Sequence, residues 1–495
     1  MSSRNRWLVV WVFALLPLLG WWLYGLFDVD EGFYGAVTAE MNRRGEWITP
    51  FYNGKPWFEK PILLYWLAKP CLMLFGDMFG PRLPSVLTGL ASYGVIAWFA
   101  KRRFNETAGQ LAALMLASSL LVVGTGRMMM TDLPLVACFT AAMITFWESL
   151  VEKPTWRIWT AGFLGLGVLA KGPVALILFA IIAGWTYWRE PELRPAFRKY
   201  WPHGIAVMCV VIGVWYVPAY LQNGQLFVEK FLIEQNVGRF TGGDAAHTLP
   251  GISGLVAGAG MYIGVLFLGM FPWSLFIWKA WPRRAATTID APTPGNDEAL
   301  RRYLATWAAV VFIFFTISGA KLVHYLLPMM PPLAILIAAY ATGLEKSPKR
   351  WFTAAIASCV VMFGLSNGVF NWWYKASGQS EVHAICRYVK KEGGAVALYQ
   401  MGRRNKDLGT GKPKLQETSL PSLLMVLDQT AIDTDSLDEI LKAPTPIWII
   451  TRENRIKPAD FIAAQKAGRQ LGEVKPPLPE DAFKLYLVRS APAVK

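Results

Sequence analysis

Charge is scarce in this chain. Only 17% of its 495 residues are Asp, Glu, Lys or Arg, while 54% are hydrophobic and the mean hydropathy is +0.33. That balance, with long apolar blocks running through residue 371, excludes an ordinary soluble globular protein and leaves an α-helical polytopic membrane protein. Cysteine is scarce as well. Cys71, Cys138, Cys209, Cys359 and Cys386 are odd in number and lack metal-ligand spacing. Four lie in or beside apolar runs, so a disulfide framework is excluded and they read as core filler. Internal repeats and low-complexity segments are lacking, which excludes a repeat array. Positive charge is the one thing in excess, at a formal +15. Its basic residues fall in short clusters between apolar runs rather than along one face, which fits positive-inside topology and predicts no nucleic-acid partner.

A helix needs about 20 apolar residues to cross a bilayer. Candidate spans fall near 7–27, 83–100, 108–126, 133–150, 158–170, 172–188, 204–221, 254–281, 303–318, 325–343 and 351–371, eleven in all. The first has a basic start like a signal peptide, but its apolar stretch is long and no A-x-A site follows, so an uncleaved span is expected. Alternating from an inside N-terminus, every inner connection is basic, including Lys101 to Arg103, Lys153 and Arg157, Arg189 to Lys199, Arg301 and Arg302, and Lys346 to Arg350. The count is therefore self-consistent.

Outside lie a first loop over 28–82, which reads as two interfacial helices, and a tail from about 375. In the tail, SEVHAICRYVKKEG, DSLDEILKA and PADFIAAQKAG are helix-like, while GAVALYQ, LLMVLD, PIWIITR and FKLYLVR are strand-like. The expected division is a transmembrane domain over 1–374 and a small α/β domain over 375–495.

FDVDEGFYGAVTAEMNRRGEW sets Asp28, Asp30 and Glu31 directly against the first span. A carboxylate there must stay wetted or find a partner. On the expected topology Asp30, Glu31, Glu59, Lys60, Arg127, Asp132, Lys171, Arg239, His247, Lys321, His324 and Tyr325 all lie at outer ends of spans or in outer loops. Each also has a plain structural reading. Asp30 and Glu31 suit a helix start, and Thr131 or Asp132 suits a cap. Lys171 and Lys321 suit snorkelling anchors. Glu59 with Lys60 suits a solvated pair, and His247 a loop residue without a task.

The joint pattern outweighs those single readings. Carboxylates and cations held at one membrane face beside apolar helices suit an anionic lipid-linked substrate. Cleaving a sugar from a polyprenyl phosphate builds negative charge on the departing phosphate, which fixed lysine or arginine stabilises. A carboxylate can orient or deprotonate the acceptor on the opposite face of the sugar. Nucleotide sugars are not available outside the inner membrane, so a lipid-carried donor and no nucleotide cofactor are expected.

Seven segments in order resemble the GT-C membrane glycosyltransferases. They are VDEGFYGAVTAEMNRRGEWITPFYNGKPWFEKPILLYW, FGPRLPSVLTGL, RMMMTDLPL, LGVLAKGPVAL, NVGRF with His247 and Pro250 beyond it, GMFPWSLF and KLVHYLLPMMPPLA. The likeness is to the bacterial branch of the lipid A aminoarabinose transferases, related to protein mannosyltransferases, and covers most of residues 1–345. It implies a GT-C fold of about 11 transmembrane helices plus interfacial helices, ahead of the small C-terminal α/β periplasmic domain. It further implies Asp30 as the central catalytic carboxylate, with Glu31 beside it and Asp132 lining the same cavity. Lys60, Lys171 and Arg239 would grip the carrier phosphate, with Lys321 and Tyr325 supporting the pocket. Glu59 and His247 match positions associated with a divalent metal, zinc or magnesium.

The expected reaction is inverting transfer from undecaprenyl phosphate to lipid A at the periplasmic face of the inner membrane, with a 4-amino-4-deoxy-L-arabinose-type sugar. Transfer to protein, glycan or another lipid is the alternative. A flippase for a polyprenyl-linked sugar is the rival of another class. It would place polar groups at mid-span rather than crowd them at one face.

Overall fold

The computed structural model describes residues 3–28, 30–197, 199, 201–238, 251–282, 297–319, 321–344, 349–401, 404–406, 413–415, 420–475 and 483–490. The chain divides into two compact units. One contains residues 1–21, 58–67 and 82–367, the other residues 22–57, 68–81 and 368–495.

The first unit is helical, and helix occupies every apolar window noted above. Among the described residues six helices are long and apolar enough to cross a membrane unaided: Leu83–Arg103, Asp132–Val151, Trp201–Asn223, Glu298–Ile317, Val323–Gly343 and Lys349–Ala376. Two bent helix pairs reach the same length and hydropathy only when taken together, as a broken span or a re-entrant loop would. Glu106–Ala117 meets Leu120–Gly126 at 64°, and Val256–Gly269 meets Trp273–Ala280 at 105°. The N-terminal helix is shorter than its apolar window, running from Ser3 to Leu15 before a 3₁₀ turn over Leu16–Leu18 that contains Pro17.

Asp132–Val151 is the central helix, packed against Leu83–Arg103 and Trp156–Lys171, and nearly all of it is buried. A 20-residue helix rises about 30 Å, so its two ends report on opposite faces of the unit. At the C-terminal end Glu148 is fully buried and accepts from Arg103 Nε at 2.8 Å, and Glu152 pairs with Arg102. Arg301 lies over the Phe104 ring, and Arg302 holds Glu190 through two bonds of 2.8 and 2.9 Å. The basic connections assigned to the inner side thus gather at one end.

In the second unit the sheet order is Ile432–Thr434, Ala395–Tyr399, Ile447–Arg452, Phe483–Ser490, Arg469–Val474. The first three strands are parallel and the last two join antiparallel, with Ala397 opposite Ile449 and Ile449 opposite Tyr486. Leu437, Ile440, Leu441 and Ala464, from two helices, close one core with Ala397, Ile447, Ile449 and Val488. LLMVLD is not a strand. Ser422–Leu427 is a short helix with every residue buried, and a short continuous apolar run does not distinguish buried strand from buried helix.

That helix packs against Gln379–Glu392 and against Asp30–Arg44, the first helix of the 28–82 loop. Asp30–Arg44 is accordingly buried over ten of its fifteen residues, without the single wet face of a helix lying on an interface. The loop's other helix, Leu63–Phe79, is broken at Gly76, and its Met73, Leu74 and Phe75 are exposed apolar residues of the interfacial kind.

Candidate active site

At the N-terminal end of the central helix the first unit assembles a charged cluster. LAKGPVAL builds one side of it. Gly172 takes φ +85° and ends the helix Trp156–Lys171, a conformation that a residue with a Cβ resists. Pro173 then precedes the next helix. Lys171 is thereby left at the turn. Its Nζ donates to Asp132 Oδ1 at 2.5 Å, with side-chain exposures of 16% and 3%. The same ammonium lies 4.7 Å from the centre of the Tyr325 ring, a cation–π distance.

KLVHYLLP brings a second side. His324 Nε2 stands 3.9 Å from Asp132 Oδ2, and Tyr325 stacks near Phe315 at 4.9 Å. Lys60 lies within electrostatic reach of Asp132 and donates to Glu59 Oε1 at 3.1 Å. Each of the two lysines is thus oriented by a carboxylate while keeping some exposure, 12% for Lys60.

Other expected residues have other partners or lie outside the described residues. Lys321 donates to the carbonyls of Thr316 and Ser318 at 2.7 and 2.8 Å. It therefore caps the end of the helix Asp297–Ile317, and two of its three donors are already used. Arg127 is fully buried and bonded to Ser366 and to Asn367 Oδ1, the latter at 2.7 Å. Arg239 and His247 lie outside the described residues. Glu59 is held by Lys60, and among the described residues no group of three or more His, Cys, Asp or Glu is placed to hold a metal. The described donors alone do not make a metal site.

The three carboxylates that open the first loop, all in the second unit, have separate fates. Asp30 is exposed at the first residue of its helix. Glu31 is buried and accepts from the Phe27 amide at 2.7 Å, serving the helix start rather than facing an acceptor. Asp28 finds partners in the C-terminal domain. It accepts from the Ser422 amide at 2.8 Å, from Ser422 Oγ at 2.6 Å and from Gln379 Nε2 at 2.9 Å. His383 Nε2 is 2.7 Å from the same Oγ, and Tyr374 Oη is 3.0 Å from His383 Nδ1. Burial pushes the Asp28 carboxyl up to about 7, against the lowering effect of its hydrogen bonds. Sequence reasoning named Asp28 and His324 without giving either a role, and no local pattern signals partners almost 400 residues away.

Comparison with known proteins agrees with this architecture. Over 98% of its length the chain superposes on ArnT from Cupriavidus metallidurans, covering 97% of that chain, with a TM-score of 0.71 and 18% identity; that structure is bound to undecaprenyl phosphate. The apo structure of the same protein gives a TM-score of 0.72, covering 98% of each chain at 18% identity. The chain has the GT-C membrane fold.

A family described as dolichyl-phosphate-mannose-protein mannosyltransferase matches residues 59–217. An undecaprenyl phosphate-alpha-4-amino-4-deoxy-L-arabinose arabinosyl transferase of Aeromonas salmonicida is 30% identical over 371 residues, 73% of this chain and 64% of the relative. A protein of the same name from Pectobacterium carotovorum is 30% identical over 364 residues, 70% of this chain and 62% of that one. The match thus spans less than two thirds of the length of these relatives.

Proposed function

We propose that this multi-pass GT-C protein is an inverting glycosyltransferase that moves a sugar from undecaprenyl phosphate to lipid A at the periplasmic face of the bacterial inner membrane. The observation that carries the reading is the cluster in which Lys60 and Lys171 are each oriented by a carboxylate beside Tyr325. Fixed ammonium groups stabilise a departing phosphate without an acid to protonate it. The names of the sequence relatives, with their 4-amino-4-deoxy-L-arabinose group, support the choice of sugar. The undecaprenyl phosphate bound in the solved neighbour supports the carrier.

In the reaction the acceptor oxygen bonds to the anomeric carbon as the bond from that carbon to the carrier phosphate breaks. The electron pair leaves on the phosphate. A lipid A phosphate is already singly ionised near neutral pH, so its remaining P–OH donates to Asp30, which orients the attacking oxygen; a hydroxyl acceptor would give its proton to Asp30. Lys60 and Lys171 hold the carrier phosphate, and Asp132 keeps Lys171 in place. The mannosyltransferase match over residues 59–217 favours a protein hydroxyl as the second choice of acceptor.

The test is mass spectrometry of lipid A and membrane proteins from cells with and without the gene. Loss of a sugar mass from lipid A is the expected result, and loss from a protein instead selects the second acceptor. In membranes supplied with labelled donor, Asp30→Asn should lower transfer by roughly 10²–10⁴-fold. Wild-type turnover in that variant would remove Asp30 from the mechanism.

A further inference from the structure

Five side chains from distant parts of the sequence form one hydrogen-bonded chain in the second unit, the half-buried Asp28 with the buried Gln379, Ser422, His383 and Tyr374. The donors and acceptors assign its direction while Asp28 is ionised. The Tyr374 hydroxyl donates to His383 Nδ1, His383 Nε2–H donates to Ser422 Oγ, and that hydroxyl donates to the carboxylate. Every partner is then satisfied with a neutral imidazole. Ser422 stands between carboxylate and imidazole, the reverse of the order a nucleophilic serine needs, in which the acid orients the histidine. The chain is therefore built to hold rather than to attack.

What it holds is the segment leading into Asp30. Asp28 lies two residues before it, and the helix start is closed by the Gly32 amide donating to Phe27 O at 3.0 Å and by Glu31 on the Phe27 amide. Two glycines let the C-terminal domain approach. A Cβ on Gly32 would fall 1.9 Å from Asp28 Oδ1 and 2.7 Å from the Ser422 amide, and one on Gly25 would fall 2.6 Å from His383 Nδ1 and 2.7 Å from the Tyr374 hydroxyl. Farther along, Asn53 exchanges two 3.0 Å bonds with the Ala431 backbone, and Arg43 pairs with Asp428 at 3.0 Å. Among these contacts between the loop and the C-terminal domain, the Asp28 site is the one beside the start of the Asp30 helix.

We propose that the C-terminal domain is a positioning device for transfer, its Ser422–His383–Tyr374 chain gripping Asp28 so that the Asp30 carboxylate is fixed for the acceptor. The proposal rests on the reading of Asp30 given above. Asp28 and its partners are positioning residues and touch no reacting atom. The charged and titratable groups facing Asp28 are Glu31 from its own segment, Tyr374 and His383 in the chain, and Cys386 on the helix Gln379–Glu392.

The experiment uses the full chain in nanodiscs, with a polyprenyl-phosphate sugar as donor and lipid A as acceptor, and follows hydrogen exchange in the same samples. Ser422→Ala should lower kcat roughly 10–100-fold, the cost of misplacing a reacting group by about 1 Å. It should leave the donor KM within about twofold and quicken exchange over residues 27–36 by about tenfold, as expected for a lost buried hydrogen bond. Tyr374→Phe, which removes only the far donor and is the milder change for folding, should act in the same direction and more weakly. Ser422→Thr, which keeps the hydroxyl, should recover most of the rate. Unchanged kcat in Ser422→Ala, with or without quicker exchange, overturns the positioning role, and so does a rise in donor KM at constant kcat. If exchange quickens as expected but the wild type transfers nothing to lipid A or protein, the grip on the loop stands and the reading of the activity falls.

Discussion

Asp132 is a buried carboxylate and Asp28 a half-buried one, one in each unit, and the chain treats them in opposite ways. Asp132 is met by cations, Lys171 at 2.5 Å with His324 and Lys60 nearby. Asp28 is met by neutral donors, an amide, a hydroxyl and a carboxamide. A cation partner keeps a carboxylate charged and returns an oriented ammonium, which is what a phosphate-binding wall needs. Neutral donors satisfy the oxygens but bring no countercharge, and burial pushes the carboxyl up to about 7 against their lowering effect. On the proposed reading the first arrangement serves chemistry on an anion and the second serves geometry.

The largest expected effect comes from breaking the cation-paired site. Asp132→Asn strands Lys171 at 16% side-chain exposure and should cost about 3–5 kcal/mol, as for removal of one partner of a buried pair. Transfer should fall to background. Adding Lys171→Met to that variant removes the stranded charge and should return most of the thermal stability in detergent with none of the transfer. Recovery of both would show that the pair is structural only.

The neutral-donor site should respond to pH instead. The folded pKa of Asp28 is raised from 3.8 to about 7. Its stabilising contribution is therefore fully present below about pH 4 and lost as pH rises through 7. At about 1.4 kcal/mol per tenfold change in proton affinity, the span is on the order of 4 kcal/mol. Opening of Gln379–Glu392 and Ser422–Leu427, read by hydrogen exchange corrected for intrinsic rates, should become easier between pH 5 and pH 8. Asp28→Asn should flatten that slope, and an unaltered slope would assign the pH response to another group.

The contrast between the units also marks what can be read from sequence alone. Apolar length located helix in every window, because a membrane span is written locally. The cluster of Lys60, Asp132, Lys171 and Tyr325 was legible as motifs at like ends of alternating spans. The Asp28 grip was not, since its direct partners lie 351 and 394 residues away on a domain whose docking helix, Ser422–Leu427, resembles a strand in sequence. Lys321 was legible only as a cation at a helix end. Whether such a lysine caps its own carbonyls or faces a ligand depends on where its donors point, which the sequence does not state.

A smaller effect is expected at the glycine that admits the C-terminal domain. Gly32→Ala drives a methyl into Asp28 Oδ1, and overpacking of that kind costs about 1–3 kcal/mol. Because it acts on the same contact as Ser422→Ala, the two should combine less than additively in a double-mutant cycle. Additive losses would mean that Gly32 and Ser422 act on separate features, and the neutral-donor site would no longer count as one unit.

The smallest effect separates capping from ligand binding within the first unit. Lys321 gives two donors to the end of the helix Asp297–Ile317, whereas Lys171 gives one to a carboxylate that faces the same cluster as His324 and Tyr325. Lys321→Ala should cost only about 0.3–1 kcal/mol of stability, the worth of a cation at a helix C-terminus, and leave the donor KM within about twofold. Lys60→Ala should weaken donor use by about 1–3 kcal/mol, the worth of a charge-assisted contact. A donor KM that rises as steeply for Lys321→Ala as for Lys60→Ala would return Lys321 to the phosphate-binding wall, since a cap that touches no substrate cannot discriminate one concentration of donor from another.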